Sequence, residues 1–443
     1  MSACSRRVGL ALVMLVGGVA CTPKTTAESA ASYLYVWAGD SAGKASDFLA
    51  VIDAAPDSPT YGAVVSRVEV GKAGAHPHHT EAEMPASGHL LANGFGAGRT
   101  WLVDLTTPRA PKVLTHFDDR AGFSHPHSFL RLANGNVLAA FQYAADSAPV
   151  ASSSHEHAGM TGMSSATGTT APAASELPRS STPTVAHRTG GLVEMDERGT
   201  VIRRGSASDT TIGDRLLYPY SVLAMPSMNR AVSTTTDMNA GNATATAEWV
   251  QVWTLSDLTL LRSIALKPGP RGDEHRLTGE PRLLGDGRSV YVHTFMCGLY
   301  LVRGVDQPEP VASFVHGFQG KDCGVPVLTG RFWLQTVPEV HALVAMDISD
   351  VEHPREVSRI TFDSTEHPHW AAIDRSGRRI TVNSASPGSR IYVVNLDPAT
   401  GALTLDTRFR DAGAQSAGVS LTGRTMRSAY AGTAEPHGAV FSR

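Results

Sequence analysis

The sequence predicts an all-β chain folded as a seven-bladed β-propeller, closed between its N- and C-terminal strands. Three observations carry this reading. A hairpin-forming unit recurs at a period of roughly 40–50 residues, the spacing expected of four-stranded blades. His-Pro-His opens three of those units, at His76-Pro77-His78, His125-Pro126-His127 and His367-Pro368-His369. Apart from the first twenty residues, no long segment holds apolar residues at a 3.6 period, and 42 Gly and 26 Pro interrupt the chain.

In chain order, residues 1–20 carry Arg6 and Arg7 followed by the apolar run Val8 to Ala20. That run is too short to span a bilayer and fits the core of a signal peptide, so the chain is expected to be exported. Gly18-Val19-Ala20-Cys21 resembles a bacterial lipoprotein processing site, with Gly18 where an aliphatic residue is usual. Cys21 is therefore a candidate lipidation site at the head of a short tether (21–31), with ordinary cleavage nearby as the alternative. The propeller is assigned to 32–443.

The inner hairpins start at His78 with a turn at Ser87-Gly88, His127 with Asn134-Gly135, Tyr218 with Pro226-Ser227, Glu280 with Asp286-Gly287, Cys323 with Thr329-Gly330, and His369 with Ser376-Gly377. In the last of these units, Arg390 to Leu396 and Leu403 to Phe409 supply two outer strands. A seventh inner strand, His437 to Phe441, would be completed by Ser32 to Ala38, Phe48 to Asp53 and Ala63 to Val70 from the opposite end of the chain. Such closure removes exposed sheet edges.

One stretch breaks the period. Residues 144–187 are rich in Ala, Ser, Thr, Gly and Pro with few large apolar groups, and are expected to form a loop between the second and third blades. It contains His155, His157, Met160 and Met163, a donor set that suits copper capture; a polar linker that happens to hold them is the other reading.

With 443 residues, 42% hydrophobic and 18% charged, the chain can bury a large core. Its formal charge of -3, about -5 without Arg6 and Arg7, gives no basic surface for nucleic acid. Apart from Cys21, the mature chain keeps Cys297 and Cys323. In an oxidising compartment they are expected to form a disulfide, with a soft-metal site or free thiols as alternatives.

Inner strands of a propeller begin at the central channel, so matched positions of different blades meet there. Those positions hold His78, His127, Tyr218 or Tyr220, Glu280, Cys323, His369 and His437. Repeated imidazoles at matched positions point to a shared metal ion, and a turn device in which Pro fixes the chain and His caps it is the bland alternative. His79 would join its neighbour only if the backbone beside Pro77 is irregular. Glu280 is a proton acceptor, a partner orienting an imidazole, or a member of an inter-blade ion pair. His76, His125 and His367 are expected to share a strand face with their partners and support them from farther out. His116, His293, His316, His341 and His353 fall on outer strands or loops and receive no role.

Phe48-Leu-Ala-Val-Ile-Asp53, Asp57-Ser-Pro-Thr-Tyr61, His78-His79, Pro108-Arg-Ala-Pro-Lys112, Leu132-Ala-Asn-Gly135 and Asp347-Ile-Ser-Asp350 followed by Pro354 resemble the selenium-binding protein/methanethiol oxidase family over most of the mature chain. The resemblance implies a seven-bladed propeller with a His-bound copper centre. In the bacterial periplasmic members it implies oxidation of methanethiol by O₂ to formaldehyde, hydrogen sulfide and hydrogen peroxide. The family's metal-site histidines map onto His78, His79, His127 and His437, and His369 is an additional candidate ligand. Where selenium-binding relatives place a Cys-containing segment, this chain has Thr80-Glu-Ala-Glu-Met84, which argues against selenium attachment there. The third and fourth blades diverge too.

The functional expectation is an exported copper oxidase of a small thiol, periplasmic or at the outer cell surface, meeting a membrane only through a lipid anchor at Cys21. A non-catalytic copper-storage lipoprotein is the contrasting class. A lactonase-like divalent-metal hydrolase is the third, although the channel offers few carboxylates.

Overall fold

A computed structural model of the chain describes residues 32–146, 187–238, 247–423 and 432–443. The leader, Cys21, the tether and His155, His157, Met160 and Met163 lie outside the described residues. Among the described residues no helix is long and apolar enough to cross a membrane.

Seven antiparallel sheets form a β-propeller. Numbered from the first His-Pro-His unit, their inner strands are Pro77–Thr80, Phe123–Arg131, Pro219–Met225, Thr278–Leu283, Val327–Thr329, Pro368–Ile373 and Ala434–Phe441. In blade 7 the inner strand pairs with Tyr33–Asp40, followed by Ser46–Asp53 and Val64–Ala73, so the two ends of the sequence close the ring. Blade 6 adds a short fifth strand, Val419–Ser420, on Arg390–Leu396, and its predicted outer strand shortens to Leu403–Leu405.

Burial explains why strand alternation is weak in the sequence. Blades pack face to face, so middle strands such as Tyr33–Asp40 and Ser46–Asp53 are buried on both sides and read as apolar runs. Only outer strands such as Val201–Ser206 and Arg355–Thr361 keep an exposed, polar pattern. Each interface between neighbouring blades holds its own apolar cluster; the one joining blades 6 and 7 contains Trp370, Ile391, Val36 and Phe441. The one joining blades 7 and 1 contains Trp37, Val51, Leu90 and Trp101.

The Gly-containing turns form where expected: Gly88, Gly135, Gly287, Gly330 and Gly377 all have φ between 54° and 87°, which glycine adopts without a Cβ penalty. The Pro226-Ser227 turn is a short 3₁₀ segment, Pro226–Met228, closed by Asn229 at φ 52°.

Two expectations need correction. The insertion does not connect blades 2 and 3. It lies inside blade 2, between the strands Val137–Ala144 and Thr189–Met195, whose ends are tied by the Ala144 N–H donating to the Arg188 carbonyl at 2.9 Å. A long segment joining two paired strands leaves their register intact, because the ladder needs only that the ends return to one point. Cys323 also does not open an inner strand. Blade 5 starts pairing at Val327, and Cys323 forms a disulfide with Cys297 of blade 4.

That disulfide closes a 26-residue separation between two blades. Replacing both cysteines with Ser is expected to lower stability by about 3 kcal/mol on the loop-entropy estimate. Guanidinium unfolding midpoints of the variant against the oxidised protein measure this.

Candidate metal centre

The inner strands reach the channel through a repeated irregularity. Register slips between Pro77 and Thr80, Pro126 and Ser128, Pro219 and Val222, Thr278 and Pro281, and Pro368 and Trp370, and the blade 7 ladder slips opposite His437. Each slip is a bulge, which re-aims side chains that a regular strand would send to opposite faces. This is how His78 and His79 come to stack, with ring centroids 4.4 Å apart.

The bulges freeze because their unpaired backbone groups are bonded by side chains. Asn93, on the second strand of blade 1, accepts the His79 N–H at 2.6 Å through Oδ1. Its Nδ2 donates to the carbonyls of Pro126 (2.8 Å) and His127 (3.1 Å) in blade 2. Asn383 does the same for the carbonyls of Pro436 (3.3 Å) and His437 (2.8 Å) in blade 7. Neither asparagine was singled out from sequence. The readable signal was a polar residue recurring near the end of each second strand.

Three blades thereby deliver His78, His79, His127 and His437 to one buried cluster. They are 4%, 2%, 0% and 1% exposed, so no bulk water solvates the rings. His78 Nδ1 lies 3.0 Å from His437 Nε2, and His78 Nε2 lies 2.8 Å from His127 Nε2. One ligating nitrogen each from His78, His79 and His127 falls within 4.8 Å of the others. His369 stands beside this group, partly exposed, its ring 4.9 Å from that of His437 and stacked on Phe295 at 6.3 Å.

His127 and His79 are held in the neutral form that a metal requires. His127 Nδ1 donates to the Tyr220 carbonyl at 2.8 Å, which fixes the tautomer and leaves the Nε2 lone pair directed into the cluster. Burial pushes the His127 pKa down to about 3. Burial, reinforced by His127, His437 and His369, holds His79 well below the ordinary imidazole range. Four buried, closely packed imidazoles, of which His79 and His127 resist protonation, fit a transition-metal ion.

Aromatic rings surround the group: Tyr220 at 3.9 Å and Phe95 at 5.5 Å from His127, and Trp370 at 5.0 Å from His79. Glu280 faces His79 with Oε1 3.9 Å from Nδ1. Its Oε2 accepts from Ser221 at 2.6 Å and Arg282 at 2.9 Å, so half of the carboxylate belongs to an ion pair.

The supporting histidines depart from expectation. His76 and His125 have φ of 56° and 55°, which breaks strand alternation and turns them away from the faces of their partners. The ring of His125 packs 5.4 Å from Phe95, outside the cluster. His367 donates its N–H to Ser384 and its ring lies 5.0 Å from that of His341. His293 is not peripheral: it sits on the second strand of blade 4, fully buried, with Nδ1 accepting the Glu280 N–H at 2.9 Å.

No family model matches the sequence. Over 170 residues the chain is 29% identical to a methanethiol oxidase of Hyphomicrobium sp, a stretch covering 36% of each protein. Over 107 residues it is 30% identical to selenium-binding protein 2 of Arabidopsis thaliana, covering 21% of this chain and 22% of that one. A hypothetical selenium-binding protein from Sulfolobus tokodaii superposes with a TM-score of 0.67 at 15% identity, over 94% of both chains. Over these stretches the chain is similar to the selenium-binding proteins and methanethiol oxidases. The matched stretches span about a third or less of the curated relatives' length. A periplasmic gluconolactonase of Pseudomonas aeruginosa also superposes, with a TM-score of 0.57 at 15% identity over 93% of this chain and 99% of that one, a likeness of fold alone.

Two predictions follow from the wiring of the centre. Asn93→Leu strands one N–H and two carbonyls and is expected to cost about 2–4 kcal/mol, with a 10–100-fold loss of metal affinity, read by thermal unfolding and competition with a chelator. In the metal-free protein, His127 (about 3) and His293 (about 4, lowered first by burial) bind protons less readily than unfolded imidazole near 6.5. The unfolded state then takes up more protons as pH falls. Stability is full above about pH 6.5 and declines toward pH 4 by up to about 1.4 kcal/mol per pH unit for each group, which denaturant titrations at stepped pH would record.

Proposed function

We propose that this chain is an exported copper-dependent oxidase of a small thiol, working in the periplasm or at the outer cell surface. The observation that carries the reading is the packing of four buried imidazoles from three blades, with nitrogens of His78, His79 and His127 within 4.8 Å of one another and His437 3.0 Å from His78. An imidazole donor set suits copper and zinc alike, but removing electrons from a thiol demands a redox-active ion, and a relative bears the name methanethiol oxidase. Copper at this centre would supply electron transfer between thiol and O₂.

For methanethiol the balanced reaction is CH₃SH + O₂ + H₂O giving HCHO, H₂S and H₂O₂. Carbon is oxidised, O₂ is reduced by two electrons, and water provides the aldehyde oxygen. The chain's residues take definite parts. His78, His79, His127 and His437 hold the ion, and the partly exposed His369 stands beside His437. Phe95, Tyr220 and Trp370 exclude water and favour a small apolar group beside the imidazoles. Glu280 keeps Oε1 toward His79, the carboxylate oxygen placed to take the thiol proton while Ser221 and Arg282 hold Oε2. Membrane attachment, in this reading, is confined to a lipid on Cys21.

The hydrolase class finds little support, because the group that could hold a metal is built of imidazoles and not of carboxylates. Anaerobic copper loading followed by oxygen uptake with methanethiol tests the proposal. One copper per chain is expected, retained when 147–186 is replaced by a short turn and lost in His127→Ala, with peroxide formed per thiol consumed. Tight copper without turnover would turn the reading into a storage protein. Copper lost with the insertion, and kept in His127→Ala, would overturn the channel centre.

A further inference from the structure

The geometry points to His293 as the positioning residue that sets Glu280 over His79. The inference rests on the reading that Glu280 and His79 belong to one working centre. Blades 1, 3 and 4 share one bulge, in which two ladder pairs bracket an unpaired residue on the second strand: Asn93, Thr234 and His293. In each blade that residue accepts the freed N–H of a channel residue. Asn93 takes it from His79 at 2.6 Å, Thr234 from Ser221 at 3.3 Å, and His293 from Glu280 at 2.9 Å. The three N–H donors, His79, Ser221 and Glu280, are the residues that meet around the ion site, since Ser221 also donates to Glu280 and Glu280 faces His79.

His293 differs from the other two in its outward bond. Asn93 donates to blade 2 carbonyls and Thr234 to the Gly279 carbonyl of blade 4. His293 Nε2 is buried with no partner. The next blade explains this: blade 5 pairs only from Val327, and the Pro326 carbonyl just before it is taken by Arg282 at 3.3 Å. Arg282 therefore makes the cross-blade bond and also grips Glu280, while His293 is left with the acceptor role. Gly279 makes room for that role, because a Cβ there would overlap the His293 ring. An imidazole kept buried with one nitrogen unmatched is a costly way to fill space, and its use is the placement of Glu280.

The test compares His293→Leu, which cannot accept the N–H, with His293→Asn, which copies the device of Asn93. For copper-loaded protein the Leu variant is expected to keep its copper stoichiometry and its KM for methanethiol within about threefold, and to lose about 10–100-fold in kcat. Its copper EPR signal should shift, and the Asn variant should restore both rate and signal. A Leu variant with wild-type kcat and EPR signal, or an Asn variant as impaired as Leu, would overturn the assignment. If the Leu variant does not fold, the Asn variant alone decides. Crystal structures of the two variants read Glu280 directly: displaced from His79 in Leu and in place in Asn, with an unmoved carboxylate in the Leu variant refuting the role. That readout needs no copper, so failure of the oxidase reading would show as an inactive wild-type protein and stay separate from this result.

Discussion

The centre depends on satisfying backbone groups that the bulges leave unpaired. A bulge at the axis end of an inner strand re-aims two neighbouring side chains, but it also strands an N–H and its neighbouring carbonyls in a water-poor channel. Asn93 and Asn383 answer that demand twice, each reaching from the second strand of one blade to two carbonyls of the next. The bonds run across blade boundaries, so the position of each imidazole is fixed by its neighbour as well as by its own sheet. Because the ring is closed, none of these boundaries ends at a free edge.

Much of the fold was legible because its signals are local. Turn glycines need positive φ, and their spacing marks the blades without any knowledge of tertiary contacts. Closure through Tyr33–Asp40 and Ala434–Phe441 was legible by subtraction, since strands left over at one end matched a strand lacking partners at the other. The placement of the 144–187 insertion was not, because a long segment can leave from any hairpin end and composition does not say which. The disulfide was visible as a pairing of two remaining cysteines, while the late start of blade 5 beside it was hidden by a Gly-containing turn that looks ordinary.

The site was legible as a set of imidazoles and illegible as a wiring diagram. Repetition of Pro-His at matched places was enough to bring His78, His127, His369 and His437 together, and the irregular backbone required for His79 is present. His76 and His125 were misread because strand alternation was carried through residues that adopt left-handed backbone. His293 was misread because its neighbours Val292 and Thr294 look like any strand; its importance lies in an N–H acceptor bond to a residue 13 positions away.

His78 and His437 touch although 359 residues separate them along the chain. A polypeptide that emerges N-terminus first must therefore expose its early imidazoles long before the last one arrives. Assembly of the pocket becomes a late event, gated by ring closure, and the complete set of imidazoles is together only when nearly the whole chain has been made. Were the chain exported and metal-loaded as proposed, the compartment that finishes the fold, and not the one that synthesises it, would choose the ion.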